Sequence, residues 1–453
     1  MNRFLGVMRA TLATALIVCG LLSGSVAMAQ PAAVNQAVAL GASVVPLNGP
    51  WKFHTGDDPR WADPSFDDSG WESVDLTPAP GAHDGDVGLL GYVPGWLARG
   101  HPNYWGYAWY RIRISVTAPA EYQLALTGPL LVDDAYQVFL DGRLLGASSP
   151  LSGPKPAVYS VQPSLFPLPP LHTREGGSAL LAFRVWMGED TMRSLDDTGG
   201  IHIAPAIGEL AGAEAQHRLQ WWDFFTGYVA DALEPLLLVA VAAVSLVVFA
   251  FERTNRAYLW LSAALVGNGL LRLHQVLFFW THWENSDTVE LLRNVMLAPL
   301  VLAAWVMTWR EWFDVRRPPW IPRAAAALAA ILAASQAAGP SMSIAQTGAR
   351  CVFLALIVYI TYAGIRRMGR RAWPLLPAVL IGLVAQFANE WNALHVPGIW
   401  FPFGVGVSRT QFALAGLIVV LTALLFGRLL SIARAYRIDD LASRTSRSTS
   451  ART

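Results

Sequence analysis

Charged residues are scarce in this chain of 453 residues: they make up 14% of it, whereas hydrophobic residues make up 54%. So low a charge content excludes an ordinary soluble protein of this length and indicates segments that lie in a lipid bilayer. Cysteine is also rare, with Cys19 and Cys351 as the two examples. Cys19 falls in a leader segment that we expect to be removed, so we predict no disulfide in the remaining chain.

Recognisable catalytic and metal-binding motifs are missing as well. The sequence has no G-x-S-x-G, GxxxxGK[ST], HExxH or paired CxxC pattern. Its basic residues are spread between apolar segments instead of being gathered on one soluble face. We therefore expect no enzymatic activity, no cofactor, no bound metal and no nucleic-acid partner.

The first 29 residues have the features of a signal peptide. Arg3 and Arg9 precede the apolar stretch TLATALIVCGLLSGSV, and the small residues of AMA end the segment. Cleavage after Ala29 would export the chain that follows. Residues 30–45 are rich in Ala and Val and lack a clear period, so we interpret them as a linker.

Residues 46–212 have the pattern of an all-β domain. Stretches rich in aromatic and β-branched residues recur at YAWYRIRISV, AYQVFLDG and SALLAFRVW, separated by Gly, Pro, Asp and Ser. Strands at this spacing are typical of a β-sandwich. Net charge changes sign beyond this domain: residues 30–220 carry 11 Lys and Arg against 20 Asp and Glu, and residues 221–453 carry 20 against 12. Two parts in different surroundings are expected to differ in this way.

Seven apolar segments follow, each long enough to cross a bilayer. We predict a seven-transmembrane region over 221–434, with spans near 229–251, 257–280, 291–313, 320–339, 346–366, 373–395 and 406–430, and a short cytoplasmic tail over 435–453. The last helix is expected to continue through GRLLSIARAYRIDDLA, and the polar stretch SRTSRSTSART after it is expected to be disordered. The loops THWENSDTVE, GPSMSIAQ and HVPGIWFPFG contain no Lys or Arg, whereas the alternate connections are rich in Arg. This bias predicts a multi-pass protein of the bacterial inner membrane, with the N-terminal domain outside and the C-terminus in the cytoplasm.

Four ordered sequence blocks carry a family resemblance. LNGPWKF with Trp51, DPSFDDSGWESV with Phe66–Trp71, GYAWYRIRISV with Trp109–Arg111 and AYQVFLDGRLLG with Asp141–Gly146 resemble the sugar-binding jelly-roll domain of family 2 glycoside hydrolases. The resemblance implies a galactose-binding-like jelly roll over residues 46–212. In those enzymes a separate barrel holds the catalytic carboxylates, and no segment of this sequence predicts such a barrel.

The order of the parts resembles bacterial seven-transmembrane receptors with diverse intracellular signalling modules. Those receptors join an exported jelly-roll sensor to seven helices and then to an effector such as a kinase, cyclase or phosphatase. The resemblance implies an exported all-β jelly-roll sandwich followed by an all-α seven-helix transmembrane bundle. No effector is predicted after the last span, so the output would need a cytoplasmic partner, unless the chain is a shortened relative of a longer receptor.

Aromatic and acidic residues of the exported domain supply two candidate sites. Asp67 and Asp68 in FDDSGW admit a catalytic or metal interpretation, but adjacent residues of an extended segment point to opposite faces. We favour a turn in which their oxygens accept hydrogen bonds from backbone N–H groups. Trp96, Tyr104 and Trp105 precede a predicted strand, so we nominate their rings for contact with a ligand, against the alternative of core packing.

Polar residues inside the predicted spans supply a third candidate. Asn268 and Arg272 share one helical face with Gln275, and Glu234 and Glu390 are the acidic residues expected to meet them. We expect Arg272 to pair with Glu390 or Glu234, because an unpaired charge in a bilayer is costly. A structural ion pair, a switch element, an outward-facing ligand pocket and an ion path all remain open.

Two functional hypotheses follow from the sequence. The first is a receptor-like signalling protein that senses an extracytoplasmic small molecule or glycan, with a carbohydrate as the candidate ligand, and signals through its helices. The second is a membrane transporter or a glycan-handling accessory protein. Possible helix breaks at Gly267 and Gly269 and at Pro374 and Pro377 fit transport, but no internal repeat accompanies them.

Overall fold

The computed structural model of the chain describes residues 44–450, except for 86–87, 117–121, 154, 171–177, 395–398 and 401–406. The predicted signal peptide and most of the predicted linker lie outside the described residues. An N-terminal β-sheet region extends to Glu209, and a helical region follows it. The first strand already begins at Val44, inside the segment interpreted as a linker.

Antiparallel strands build the β region. They are β1 (Val44–Pro46), β2 (Trp51–Thr55), β3 (Glu72–Val74), β4 (Gly106–Ser115), β5 (Leu124–Thr127), β6 (Val132–Asp133), β7 (Ala135–Leu140), β8 (Arg143–Ala147), β9 (Leu165–Pro167), β10 (Ser178–Met187), β11 (Gly200–Ile201) and β12 (Ala206–Glu209). One sheet has the order β3-β2-β4-β10-β7-β8, a second has the order β1-β12-β5-β9, and β6 pairs with β11. A further short hairpin, β13 (Ile399–Trp400) with β14 (Val407–Ser408), lies within the helical region.

The two larger sheets share one hydrophobic core. Because side chains alternate along a strand, β4 directs Ala108 and Tyr110 into this core, where Leu126 of β5 also lies. Trp109 points to the opposite face, and the ring of Trp61 covers it at a centroid distance of 6.2 Å. The larger sheet is therefore covered on both faces, which explains the many aromatic residues of this part of the sequence.

The FDDSGW segment packs on that second face of the larger sheet. Asp67 accepts a hydrogen bond from the backbone N–H two residues further on, at 3.0 Å. Asp68 lies 3.2 Å from the guanidinium of Arg111 on β4. The rings of Phe66 and Trp71 lie 5.3 and 5.5 Å from the same guanidinium. Asp67 therefore stabilises the turn, and Asp68 anchors the turn to the sheet through Arg111.

Helices account for most of the chain beyond the β region. They are α1 (Glu189–Met192) within the β region, followed by α2 (Leu210–Phe251), α3 (Ala257–Trp280), α4 (Ser286–Trp312), α5 (Ile321–Ala337), α6 (Ser343–Met368), α7 (Leu376–Gln386), α8 (Ala388–Ala393) and α9 (Arg409–Ser450). Residues Glu290–Leu297 of α4 form a π-helical segment.

Four helical segments of the described chain are long and apolar enough to cross a membrane. They are α2, α4, the stretch Pro340–Gln386 that contains α6 and α7, and Arg409–Arg437 within α9. α5 is apolar but shorter. α3 has 24 residues, and its apolar sequence is interrupted by the buried polar residues Asn268, Arg272 and Gln275. The chain thus has the helices of a membrane protein.

The last helix continues through residues that the sequence suggested to be a disordered tail. α9 extends to Ser450, beyond Ala442, where the sequence predicted its end. No Gly or Pro follows Gly427 in this helix, so no residue with a strong helix-breaking tendency ends it earlier. The polar composition of the tail was therefore a poor indicator of its backbone conformation.

The β region and the helices meet without a linker between them. β12 ends at Glu209 and α2 begins at Leu210. The side-chain amide of Gln162 donates a hydrogen bond to the carbonyl of Phe279 at 3.0 Å, and the N–H of Ser286 donates to the carbonyl of Val158 at 2.8 Å. The β region therefore contacts the C-terminal end of α3 and the N-terminal end of α4.

Candidate functional site: a polar cavity at the β-region end of the helices

A cavity of about 320 Å³ lies between the helices and includes Gly85 of the β region in its lining. α3, α4, α6, α7, α8 and α9 each contribute to it. The polar lining is dominated by arginine and amide side chains: Arg272, Arg293, Arg350, Arg409, Asn268, Gln275, Asn294 and Gln386. Its described lining contains no Asp or Glu. The surface that a bound molecule would meet is therefore rich in hydrogen-bond donors and in positive charge.

Arg272 connects the cavity to two carboxylates on α2. Its guanidinium lies 3.3 Å from Asp231 and 3.2 Å from Glu234, and it donates a hydrogen bond to the side chain of Gln275 at 3.0 Å. The three-residue spacing of the two acids places them on one face of α2. Arg272 is 8% exposed, so this cluster holds a buried charge in a defined position.

Arg350 connects the cavity to a different carboxylate. Its Nε and Nη2 atoms donate to the two oxygens of Glu390 at 2.6 and 2.9 Å. The expected pair of Arg272 with Glu390 is therefore not formed, and the alternative, Arg272 with Glu234, is the one that the structure contains. The side-chain amide of Gln386 donates to Asn268 at 2.8 Å, which joins the two clusters across the cavity.

The helix between these clusters is interrupted at the cavity. α7 ends at Gln386 and α8 begins at Ala388, and both residues line the cavity. Phe387 between them has φ −117° and ψ 42°, which lies outside the helical region. The break frees the backbone carbonyl of Gln386 to accept a hydrogen bond from Arg350 at 2.9 Å.

The N-terminal end of α9 positions the fourth arginine. Ser408 and Gln411 cap this helix reciprocally: the N–H of Ser408 donates to the Gln411 side chain at 2.8 Å, and the N–H of Gln411 donates to the Ser408 hydroxyl at 3.2 Å. A capping box of this kind fixes where a helix starts. Arg409 lies between them and donates to the carbonyl of Ala388 at 3.1 Å.

The three aromatic residues nominated for ligand contact have different surroundings. Trp96 is 1% exposed and belongs to the core between the sheets. The Tyr104 hydroxyl accepts a hydrogen bond from the N–H of Gly56 at 2.8 Å and donates to the carbonyl of Tyr107. Trp105 is 45% exposed, so it alone of the three keeps a large free ring surface.

The sequence did not assign Asp231 to any site, nor Arg293, Arg350 and Arg409. These three arginines lie at the ends of predicted spans that we expect to face outward. That position was itself a signal. Basic residues near membrane segments are concentrated on the cytoplasmic side, so arginines at ends that are predicted to face outward call for a local reason. The structure supplies one, because all three line the cavity.

A second polar cluster lies in the β region, around Asp133 and Asp134. Burial alone would lower the pKa of His202, but the Asp133 carboxylate, 2.9 Å from its Nε2, raises that pKa above the ordinary value. Burial raises the pKa of Asp134 to about 7, and the charge of Asp133 adds to this effect. Thr191 and Gly188 donate hydrogen bonds to Asp134 at 2.6 and 2.7 Å. Across the described residues, no group of His, Cys, Asp and Glu is arranged to hold a metal ion.

Comparisons with known proteins add a partial likeness to carbohydrate-active enzymes. No family model matches the sequence, and no curated protein matches it. A β-glucuronidase of Bacteroides uniformis is 19% identical with a TM-score of 0.27, over 36% of this chain and 17% of that chain. A glycosyl hydrolase family 2 member from Bacteroides cellulosilyticus is 18% identical with a TM-score of 0.26, over 37% and 20%. The chain spans at most a fifth of the length of these two enzymes, and their activities do not transfer to it.

Proposed function

We propose that the chain is a receptor-like protein of the bacterial inner membrane, which senses an extracytoplasmic ligand and signals through its helices to a cytoplasmic partner. In this proposal a β region of the jelly-roll type lies outside, seven helical spans cross the membrane, and the C-terminus is cytoplasmic. The polar cavity is the observation that carries the proposal, because its lining comes from six helices and from the β region. A molecule bound there would contact elements whose relative positions can change.

The covalent and electrostatic connections of α2 support transmission along this helix. At one end α2 follows β12 directly, at Glu209 and Leu210. In its middle, Asp231 and Glu234 pair with Arg272 of α3. At the other end, Glu252 lies 2.6 Å from Arg428 of α9. A displacement of the sheet would therefore reach α9, the helix that we propose contacts the partner.

A ligand can shift such a bundle only if it binds one helix arrangement more tightly than another. The ion pairs around the cavity are the interactions that would differ between two arrangements, because each joins two helices. For the β region we propose contact with a small molecule or glycan through Trp105, whose exposed ring lies 6.2 Å from that of Trp186. Aromatic faces of this kind stack on the apolar faces of sugar rings.

Distance measurements on the full chain in lipid nanodiscs test the receptor proposal. Spin labels would be attached to Arg253→Cys and Arg371→Cys, at exposed positions, with Cys19 and Cys351 replaced by Ser. A panel of sugars and organic acids would first be screened for compounds that raise the unfolding temperature. We expect a stabilising compound to change the distance between the labels. Stabilisation with an unchanged distance distribution would contradict the proposal.

Transport is the second candidate, and the interruption of the helix at Phe387 favours it. Discontinuous helices next to a polar cavity are typical of transporter binding sites. Proteoliposomes separate the two functions: a transporter accumulates the stabilising compound in its lumen, whereas a receptor binds it without uptake. Arg350→Gln should reduce the uptake by a transporter, because it removes a cavity residue that pairs with Glu390.

A further inference from the structure

We propose that the cavity binds a small oxyanion, the carboxylate or phosphate group of a soluble organic acid or of a lipid headgroup. The inference deepens the proposed function by naming the ligand chemistry of the same site, and it rests on that function only for the side from which the ligand enters. Three features of the described residues carry it: the charge of the lining, an unused buried donor, and the size of the cavity.

The surface of the cavity is positively charged, and the carboxylates lie in the layer of residues behind it. Arg272, Arg293, Arg350 and Arg409 line the cavity, and no described lining residue is acidic. The carboxylates that pair with two of these arginines, on α2 and α8, are not among the lining residues. They hold the guanidinium groups from behind and leave the cavity surface positive. Guanidinium groups bind carboxylate and phosphate through charge-assisted hydrogen bonds, often two at a time.

Arg272 also has a hydrogen-bond donor that none of the described residues accepts from. Its Nη2 atom is buried and has no hydrogen-bond partner among the described residues, although Nη1 donates to Gln275. A buried donor without a partner carries an uncompensated desolvation cost. Because the side chain of Arg272 is nine-tenths buried and lines the cavity, an acceptor oxygen placed there would remove this cost. The orphaned donor thus points to a ligand independently of the charge count.

The size and polarity of the cavity restrict the ligand further. A volume of about 320 Å³ is at the lower end of the range for small-molecule sites. The amide side chains of Asn268, Asn294 and Gln386 surround the arginines and can both donate and accept hydrogen bonds. These features fit a compact acid with hydroxyl or amide groups, or a single headgroup, and exclude an extended glycan from this cavity.

Binding measurements on the full chain in nanodiscs of phosphatidylcholine test the inference, with inorganic phosphate and succinate as probes at constant ionic strength. We expect saturable binding by calorimetry. Arg293→Gln and Arg409→Gln should each weaken the binding by about tenfold or more, the effect of removing one charge-assisted hydrogen bond. Arg323→Gln is the matched control, because Arg323 is exposed on α5 and lies away from the cavity lining. The unfolding temperature of each variant shows whether it is folded.

The outcomes distinguish the ligand sources and the two proposals. Loss of phosphate binding when phosphatidylglycerol is added to the nanodiscs would identify a headgroup as the ligand, and unchanged binding would identify a soluble acid. No binding of either probe in either nanodisc would overturn the inference, as would equal affinities for Arg293→Gln and Arg323→Gln. If a neutral sugar changes the label distance while no anion binds, the receptor proposal stands and this inference fails. If anions bind without any change in the label distance, this inference stands and the receptor proposal fails.

Discussion

Arg111 is a fully buried charge whose partners all come from the turn that precedes it by some forty residues. Asp68 supplies the opposite charge at 3.2 Å, and the carbonyl of Asp63 accepts a hydrogen bond from Nη2 at 3.1 Å. The rings of Phe66 and Trp71 lie 5.3 and 5.5 Å from the guanidinium and 5.9 Å from each other. Sequence reasoning identified the turn from its residue types, but it could not identify Arg111 as the anchor, because the pairing depends on the strand that the turn covers.

Replacing Asp68 with Asn should destabilise the β region by about 2–3 kcal/mol, because it leaves the buried guanidinium without its counter-charge. Hydrogen exchange of the β4 peptide in the full chain measures the effect. Asp67→Asn is the matched control: an Asn oxygen can accept the same backbone hydrogen bond, so a change below about 0.5 kcal/mol is expected. Equal effects of the two substitutions would contradict the assigned roles.

Asp134 makes the stability of the β region depend on pH. Its pKa rises from 3.8 to about 7 in the folded chain, so between these pH values the folded state holds a proton that the unfolded chain has released. The free energy of unfolding therefore falls as pH rises through this window. His202, whose pKa is also raised, adds stability below about pH 6.5 that is lost as pH rises through its folded pKa.

Asp134→Asn should reduce the fall in the free energy of unfolding between pH 4 and 7 by roughly 2–4 kcal/mol. Asn keeps an acceptor for the N–H of Gly188 and does not titrate. The measurement is hydrogen exchange of the β6–β7 peptide, corrected for the intrinsic effect of pH. Asp196→Asn, at an exposed position, is the control and should follow the parent protein. If the free energy of unfolding of Asp134→Asn falls with pH as steeply as that of the parent protein, a group other than Asp134 causes the pH dependence.

At the scale of elements, small residues decide how closely the helices approach. A Cβ atom on Gly364 of α6 would lie 2.5 Å from the ring of Phe313, and a Cβ on Gly267 of α3 would lie 2.5 Å from Val301 of α4. Gly267 was a possible helix break in the sequence, but the helix continues through it. Glycine in these helices allows close packing. The sequence alone does not show this role, because the role depends on which side chain faces the glycine.

Gly364→Ala should lower the stability of the helical region by about 1–3 kcal/mol, because Phe313 is fully buried and cannot move away easily. Gly348→Ala on the same helix is the matched control. Nothing lies within 4 Å of its Cβ position, so the higher helix propensity of Ala should raise stability by up to about 1 kcal/mol. Thermal unfolding in detergent measures both. A destabilised Gly348→Ala variant or a neutral Gly364→Ala variant would contradict the packing argument.

At the scale of the whole molecule, the apolar helices and the arginine-poor loops predict which surfaces face outward. Trp283 lies in the connection between α3 and α4 and is 80% exposed, and Trp373 precedes α7 and is 64% exposed. In a Cys351→Ser background, Trp283→Cys should react with a membrane-impermeant maleimide in cells with a permeabilised outer membrane. Trp373→Cys should react only after the inner membrane is opened. The opposite labelling pattern would reverse the proposed orientation.

The sequence by itself determined that a β-sheet region precedes a region of apolar helices, because periodicity, turn residues and hydrophobic length act locally along the chain. It also nominated Arg272 and Glu234, because charges in apolar helices are rare and need partners. Only the tertiary structure decided that Glu390 pairs with Arg350, that Trp96 lies in the core, and that four arginines meet around one cavity. Those facts depend on which helices are neighbours and how deeply each side chain is buried, and packing between distant segments sets both.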